Sequence, residues 1–160
     1  MNNSSVADWK LFSFQALVII TGWVVVHWLS GRRDIEKARR ELVAASTDVL
    51  SEQVNIILTD AHEYHLNPRC KRLEIKLKMA LQDLTMKSVK LSDICRDRPT
   101  LASCRHLIGV TRRAITARHF EDEHDGEISE GDLIVESIAD SVLRLKQCLL
   151  QLKYRQFAQD

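Results

Sequence analysis

Glycine and proline are scarce in this chain, five and two of 160 residues, which leaves it few places to turn. No glycine-rich phosphate loop is present, and no G-x-S-x-G elbow or Cys-His nucleophile pair stands out. The four cysteines, Cys70, Cys95, Cys104 and Cys148, include no C-x-x-C pair, so zinc ribbons and thioredoxin-like redox chemistry lack support. An excess of charge of one sign is also missing. With 23 basic and 22 acidic side chains the net charge is +1, too balanced to mark a nucleic-acid binder on bulk charge. There is no internal repeat, no low-complexity tract and no strand alternation. These absences point to a non-enzyme, with no cofactor and no bound metal expected.

What is present is one long apolar run, WKLFSFQALVIITGWVVVHWLSGRR, residues 9–33. From Leu11 to Leu29 there is no charged side chain, and a bilayer core needs ~20 mostly apolar residues as helix. Trp9 and Trp28 stand 19 positions apart, roughly 28 Å at the helical rise. That spacing sets one indole at each membrane interface. A cleavable signal would want a basic leader, a shorter apolar stretch and small residues before the cut. The leader MNNSSVADWK carries one acid and one base, and no Ala-x-Ala pattern follows. The run therefore reads as a permanent transmembrane helix over residues 11–30, behind a short extracytoplasmic tail, 1–10.

Charge sets the orientation. Arg32, Arg33, Lys37, Arg39 and Arg40 follow the run, while only Lys10 precedes it. Flanks rich in Lys and Arg stay in the cytoplasm, so residues 31–160 are expected inside and the N-terminus outside, in a bacterial inner membrane. The basic flank, with Trp9 and Trp28, is the expected membrane interface, each surface charge contributing ~1 kcal/mol toward anionic headgroups. A plain stop-transfer flank explains it more simply than specific lipid recognition. All four cysteines then fall in a reducing compartment, as small core residues.

Behind the anchor the periodicity is helical. Ile35, Ala38, Leu42, Ala45 and Val49 step at three and four, then Val54, Ile57, Leu58 and Ala61 continue, predicting a helix from about Arg32 to Tyr64. Gly31 is the candidate hinge between it and the anchor. Asn67-Pro68 predicts a stop and a new N-cap with proline at the first helical position. The second helix has Leu73, Leu77, Ala80, Leu84, Leu91 and Ile94 on one stripe, with Lys71, Arg72, Lys76, Lys78, Lys87 and Lys90 around it. A third carries Leu101, Cys104, Leu107, Ile108 and Ile115 to near Phe120. A fourth starts at Ser129, in a capping box with Asp132, and runs through Leu133, Ile134, Ile138, Val142, Leu145, Leu149 and Leu152. The expected fold is all-α: one transmembrane helix followed by an antiparallel cytoplasmic bundle of about four helices.

Three stretches carry candidate chemistry. EDEHDGEISEGD, Glu121 to Asp132, resembles an EF-hand calcium loop: carboxylates at positions one, three and five (Glu121, Glu123, Asp125), Glu127 next, Gly126 at the sharp turn and Asp132 at twelve. It departs from that family with Glu at position one and the shorter Asp at twelve. The plain alternative is a solvated acidic turn favouring the N-terminal dipole of the fourth helix. Arg113 and His119, separated by five residues, resemble the R-x(4–6)-H motif of HEPN ribonucleases, all-α proteins in which Arg and His act on a scissile phosphate. Here Ala114 follows the Arg where that family has a polar residue. His62 and His65, three apart in AHEYH, share a helix face as metal ligands would, but lack the H-E-x-x-H spacing.

The anchor itself carries polar groups, Gln15, Thr21 and His27, which cost free energy in hydrocarbon unless they face protein or water. Gln15 and Gly22, seven apart, lie on one helix face, where a small residue admits a second helix and the amide bonds across it. Self-association through that face is expected. The favoured function is an oligomeric, non-catalytic membrane effector under control of its cytoplasmic helices, acting by bilayer perturbation or signalling. This layout is similar to that of small membrane effectors of bacterial anti-phage defence. The competing classes are a tethered HEPN-like ribonuclease and a scaffold recruiting a protein or nucleic-acid partner through the basic helix, residues 69–90. Membrane lipids and a second copy of the chain are the expected partners.

Overall fold

In a computed structural model of the chain, residues 3–117, 120, 121 and 132–157 are described, with side chains from residue 14 onward. Four α-helices and no strands occur among the described residues: α1 (Asn3–Leu66), α2 (Lys71–Ile94), α3 (Arg98–Thr116) and α4 (Leu133–Arg155). The chain divides into two compact units, Met1–Arg39 and Arg40–Asp160.

In the first unit, the apolar side chains from Phe14 to Leu29 point away from the chain on every side of α1. Phe14, Leu17, Ile19, Ile20, Trp23 and Val26 are each more than 60% exposed. A helix apolar all round is either a protein core element or a membrane span. None of the most apolar stretch of α1 is buried within the chain. The helix near the N-terminus is long and apolar enough to cross a membrane. Helical structure passes through Gly31 without a break, where the sequence offered a hinge.

The second unit is organised around one core. From α1 it takes Val43, Leu50, Val54, Ile57, Ala61 and Tyr64; from α2 Leu77, Leu81, Leu84 and Leu91. The other two helices add Leu101, Cys104, Ile108 and Ile115 from α3, and Ile138, Val142, Leu145, Leu149 and Leu152 from α4. These sets repeat at three and four residues, the spacing that keeps side chains on one helical face. For α2 and α3 the stripe largely matches the sequence reading, and on α4 it matches from Ile138 onward, while Leu133, expected inward, is 78% exposed and Val135 is buried in its place. On α1 it does not. Leu42 and Val49, expected inward, are 53% and 54% exposed, while their neighbours Val43 and Leu50 are buried. Two apolar stripes lie side by side on this helix, offset by one residue. The one through Val43, Thr47, Leu50, Val54, Ile57 and Ala61 holds its register to the end of the helix, so it takes the core. Cys70 is exposed, unlike the other three cysteines.

Several polar groups in and around this core are hydrogen-bonded or ion-paired. Thr47 donates to the Val43 carbonyl at 2.7 Å. Thr111 on α3 donates to the Ser141 carbonyl on α4 at 3.3 Å. Between helices, Gln53 donates to the Ala80 carbonyl and to Asp83. Lys76 pairs with the buried Asp60 at 2.6 Å. Lys153 reaches Asp48 at 2.7 Å, and Arg155 the Thr100 hydroxyl at 3.1 Å.

Two helix starts differ from those the sequence predicts. α2 begins at Lys71 with Cys70 in the cap position and no side-chain cap bond. Asn67 instead turns back and donates to the Glu63 carbonyl at 2.8 Å, closing α1. Pro68 stays in the turn, and Cys70 is extended before α2 starts. α3 is capped by Asp97, whose carboxylate accepts from Thr100 N at 3.1 Å, and Pro99 sits in the first turn, where its missing N–H costs nothing. α4 starts at Leu133 with Asp132 as its N-cap, accepting from Ile134 N at 3.0 Å. Ser129 lies outside the described residues.

Candidate functional site

A cleft of about 720 Å³ opens between α2 and α3 in the second unit. Lys78, Leu81 and Gln82 form one wall, three and four residues apart and hence on one face of α2. Arg112 and Thr116 form the other wall on α3, and Phe120 with Glu121 closes one end. Its size falls in the range of small-molecule sites, roughly 300–1,000 Å³. A second groove, lined by Thr85, Ser88, Arg105, His106 and Gly109, adjoins it through the shared Arg112.

Lys78 is the most connected group here. It donates to Glu74 Oε1 at 2.9 Å, pairs with Glu121, and stands 5.7 Å from the centre of the Phe120 ring. Glu121, followed by Glu74, raises the Lys78 pKa above the usual lysine value by stabilising the ammonium. Glu74 is buried on α2 and also accepts from Arg69 at 3.0 Å. Lys78, against the opposing effect of burial and with help from Arg69, holds the Glu74 carboxyl below its ordinary range. Arg112 differs: it is exposed and has no carboxylate partner among the described residues.

Glu121 has φ of 76°, the left-handed region, the only such non-glycine residue among those described. That conformation costs a residue with a Cβ roughly 1–2 kcal/mol. Its N–H donates to the Tyr64 hydroxyl at 3.2 Å and its carboxylate holds Lys78. Tyr64 is buried, packed on Phe120 at 5.1 Å and edge-on to His65 at 5.2 Å.

The residues singled out from the sequence fall in several places. Arg113 is exposed on α3, one position from the cleft-lining Arg112, and its partner His119 lies outside the described residues. Of the EF-hand-like stretch, Glu121 is tied to Lys78 and Asp132 caps α4. Glu123, Asp125 and Glu127 lie outside the described residues. His65 is fully buried, with Nε2 donating to the Ile115 carbonyl at 3.0 Å, so its ring serves the core rather than a shared metal face with His62. Among the described residues, no three of His, Cys, Asp and Glu converge as a metal site.

On the anchor, Trp28 and Arg32 are stacked, guanidinium to ring centre 3.9 Å, joining an indole to the first basic residue of the flank. Trp23 and His27 stack at 5.3 Å. Thr21 donates to the Leu17 carbonyl at 2.8 Å, which satisfies its hydroxyl within the helix. Gln15 is exposed, and Gly22 sits in a hollow bordered by Leu17, Val18, Thr21, Val25 and Val26. Trp9 lies within α1. Arg32 and Arg33 are exposed, and Arg39 pairs with Glu36 at 2.6 Å. The cleft at Arg112 and Phe120 was missed in sequence; the crowding of lysines on α2 was its only trace. No family model, curated protein or solved structure matches the chain.

Proposed function

We propose that this chain is a single-pass inner-membrane protein, N-terminus outside, whose anchors self-associate and whose cytoplasmic helical domain governs a non-catalytic effector action on the membrane, by bilayer perturbation or signalling, in anti-phage or stress defence. One observation carries the reading: an uncovered, all-round apolar stretch of α1 with a hollow at Gly22. Small residues at such hollows let backbones approach, and Gln15 lies one heptad earlier to hydrogen-bond across the contact. Leu42, Val49 and Ile56, seven apart and exposed, offer a second apolar seam to a parallel copy held in the same membrane.

The excess of Arg and Lys behind the anchor supports the orientation. The pairing of Gln53 with residues 80 and 83 and of Asp60 with Lys76 supports an antiparallel α1–α2 arrangement. Likewise Thr111 with Ser141, and Thr100 with Cys148 and Arg155, support antiparallel α3 and α4. The basic helix α2 supplies the surface for a further protein or nucleic-acid partner.

The test is membrane potential after induced expression, together with reporter fusions at both termini. A reporter active only in the cytoplasm is expected to work after Asp160 and not at Met1. Expression is expected to depolarise cells, and Gly22→Asp to abolish this while the protein still inserts. A protein extracted by carbonate washing, or the opposite reporter pattern, overturns the reading.

A further inference from the structure

The cleft between α2 and α3 holds two cations in different states. Lys78 already shares its charge with Glu74 and Glu121. Arg112 has no carboxylate partner among the described residues. Its guanidinium is a planar fork of donors that matches phosphate and carboxylate geometry. The Gln82 amide and Thr116 hydroxyl line the same space, and Leu81 and Phe120 give it an apolar wall. Arg105 lines the adjoining groove, seven residues and so two helical turns before Arg112, about 10 Å along α3.

Glu121 is an independent observation. An exposed residue has cheaper backbone conformations than φ of 76°, and strain of this kind persists only where the surroundings impose it. Here the Tyr64 hydroxyl and Lys78 impose it. The result is a carboxylate, the only one lining the cleft among the described residues, placed on the cation an incoming anion would take.

We propose that this cleft is a binding site for a small phosphate-bearing ligand held by Arg112 and Lys78, and that Glu121 is a built-in competitor displaced from Lys78 when the ligand enters. A monocarboxylate would exchange with Glu121 one for one and gain little. A phosphate dianion engages the Arg112 fork and Lys78 together, and the space beyond the two cations accommodates its organic part. The site belongs to the second unit alone and stands whether or not the anchors associate.

Titration calorimetry on the full-length protein in detergent micelles tests this. Three probes are used: pyrophosphate, ADP, and phosphatidic acid mixed into the micelles against the same micelles without it. Binding of at least one is expected, weakened about tenfold or more by Arg112→Gln, since a hydrogen bond to a charged group contributes ~1.5–3 kcal/mol and 1.4 kcal/mol is tenfold. Glu121→Gln is expected to tighten the same probe by about three- to tenfold, which mere loss of folding cannot imitate. Which probe binds assigns the source, free phosphate, nucleotide or lipid headgroup. Three results overturn the proposal: no probe binding to wild type, binding unchanged in Arg112→Gln, or binding weakened in Glu121→Gln, each with helical content intact by circular dichroism.

Discussion

Gly22→Leu separates what the anchor does alone from what it does in company. A Cβ placed on Gly22 meets nothing within 4 Å in the chain itself, and the residue lies mid-helix, so leucine imposes no strain on an isolated copy. By helix propensity it stabilises that copy, since glycine is ~0.8–1.0 kcal/mol worse than alanine and leucine is close to alanine. Any loss must then come from a second helix pressed into the hollow between Val18, Val25 and their neighbours. Interhelical hydrogen bonds in membranes contribute only ~0.6–2 kcal/mol, so Gln15 alone is a modest glue and the close approach at Gly22 must supply the rest. Losing 1.4 kcal/mol or more weakens association at least about tenfold. The assay is disulfide crosslinking of single cysteines placed along residues 13 to 26, in a background with the four native cysteines replaced, because Cys70 is exposed and would crosslink by itself. A peak through positions 15 and 22, recurring every three to four residues, lost in Gly22→Leu and kept in Val24→Leu, is the expected pattern. Equal crosslinking in Gly22→Leu, or loss in both variants, would refute the reasoning.

Three further expectations concern the second unit. Leu145 is fully buried and Leu143 is 54% exposed on the same helix, so in chemical denaturation Leu145→Ala should cost about 2–5 kcal/mol and Leu143→Ala under about 0.5 kcal/mol. Equal costs would mean α4 does not present this face to the core. Because the folded-state pKa of Glu74 lies below its ordinary 4.5, its contribution is present above that value and is lost as pH falls through the folded value. Melting curves from pH 7 to 3 should show a drop for the wild type that is shallower in Glu74→Gln, and parallel curves would reject the Lys78–Glu74–Arg69 clamp. Millimolar calcium should leave the melting temperature nearly unchanged, whereas a site with Kd near 10 µM would add ~2.7 kcal/mol at 1 mM. A rise of several degrees that vanishes in Asp125→Ala would vindicate the EF-hand-like reading instead.

Features that rest on solvent and local geometry are legible in the sequence. An uncharged apolar run from Leu11 to Leu29 is long and apolar enough to cross a membrane, and scarcity of glycine and proline with three- and four-residue steps favours helices. The buried face of α3 and that of α4 from Ile138 onward were legible for the same reason: the apolar residues there repeat at three and four. Tertiary structure decided what local pattern leaves degenerate. On α1, Val43 and Leu42 are both apolar and adjacent, and only packing in the shared core chose Val43. Asn67 and Pro68 fit a helix start as well as a turn, and the choice fell to the carbonyl that Asn67 reaches on α1. The cleft was illegible because Lys78 is distant in sequence from Arg112 and Glu121, and they line one space only when α2 lies against α3. Taken singly, each is an ordinary surface charge. The strained Glu121 on Lys78 exists because Tyr64, buried by the fold, holds that backbone in place.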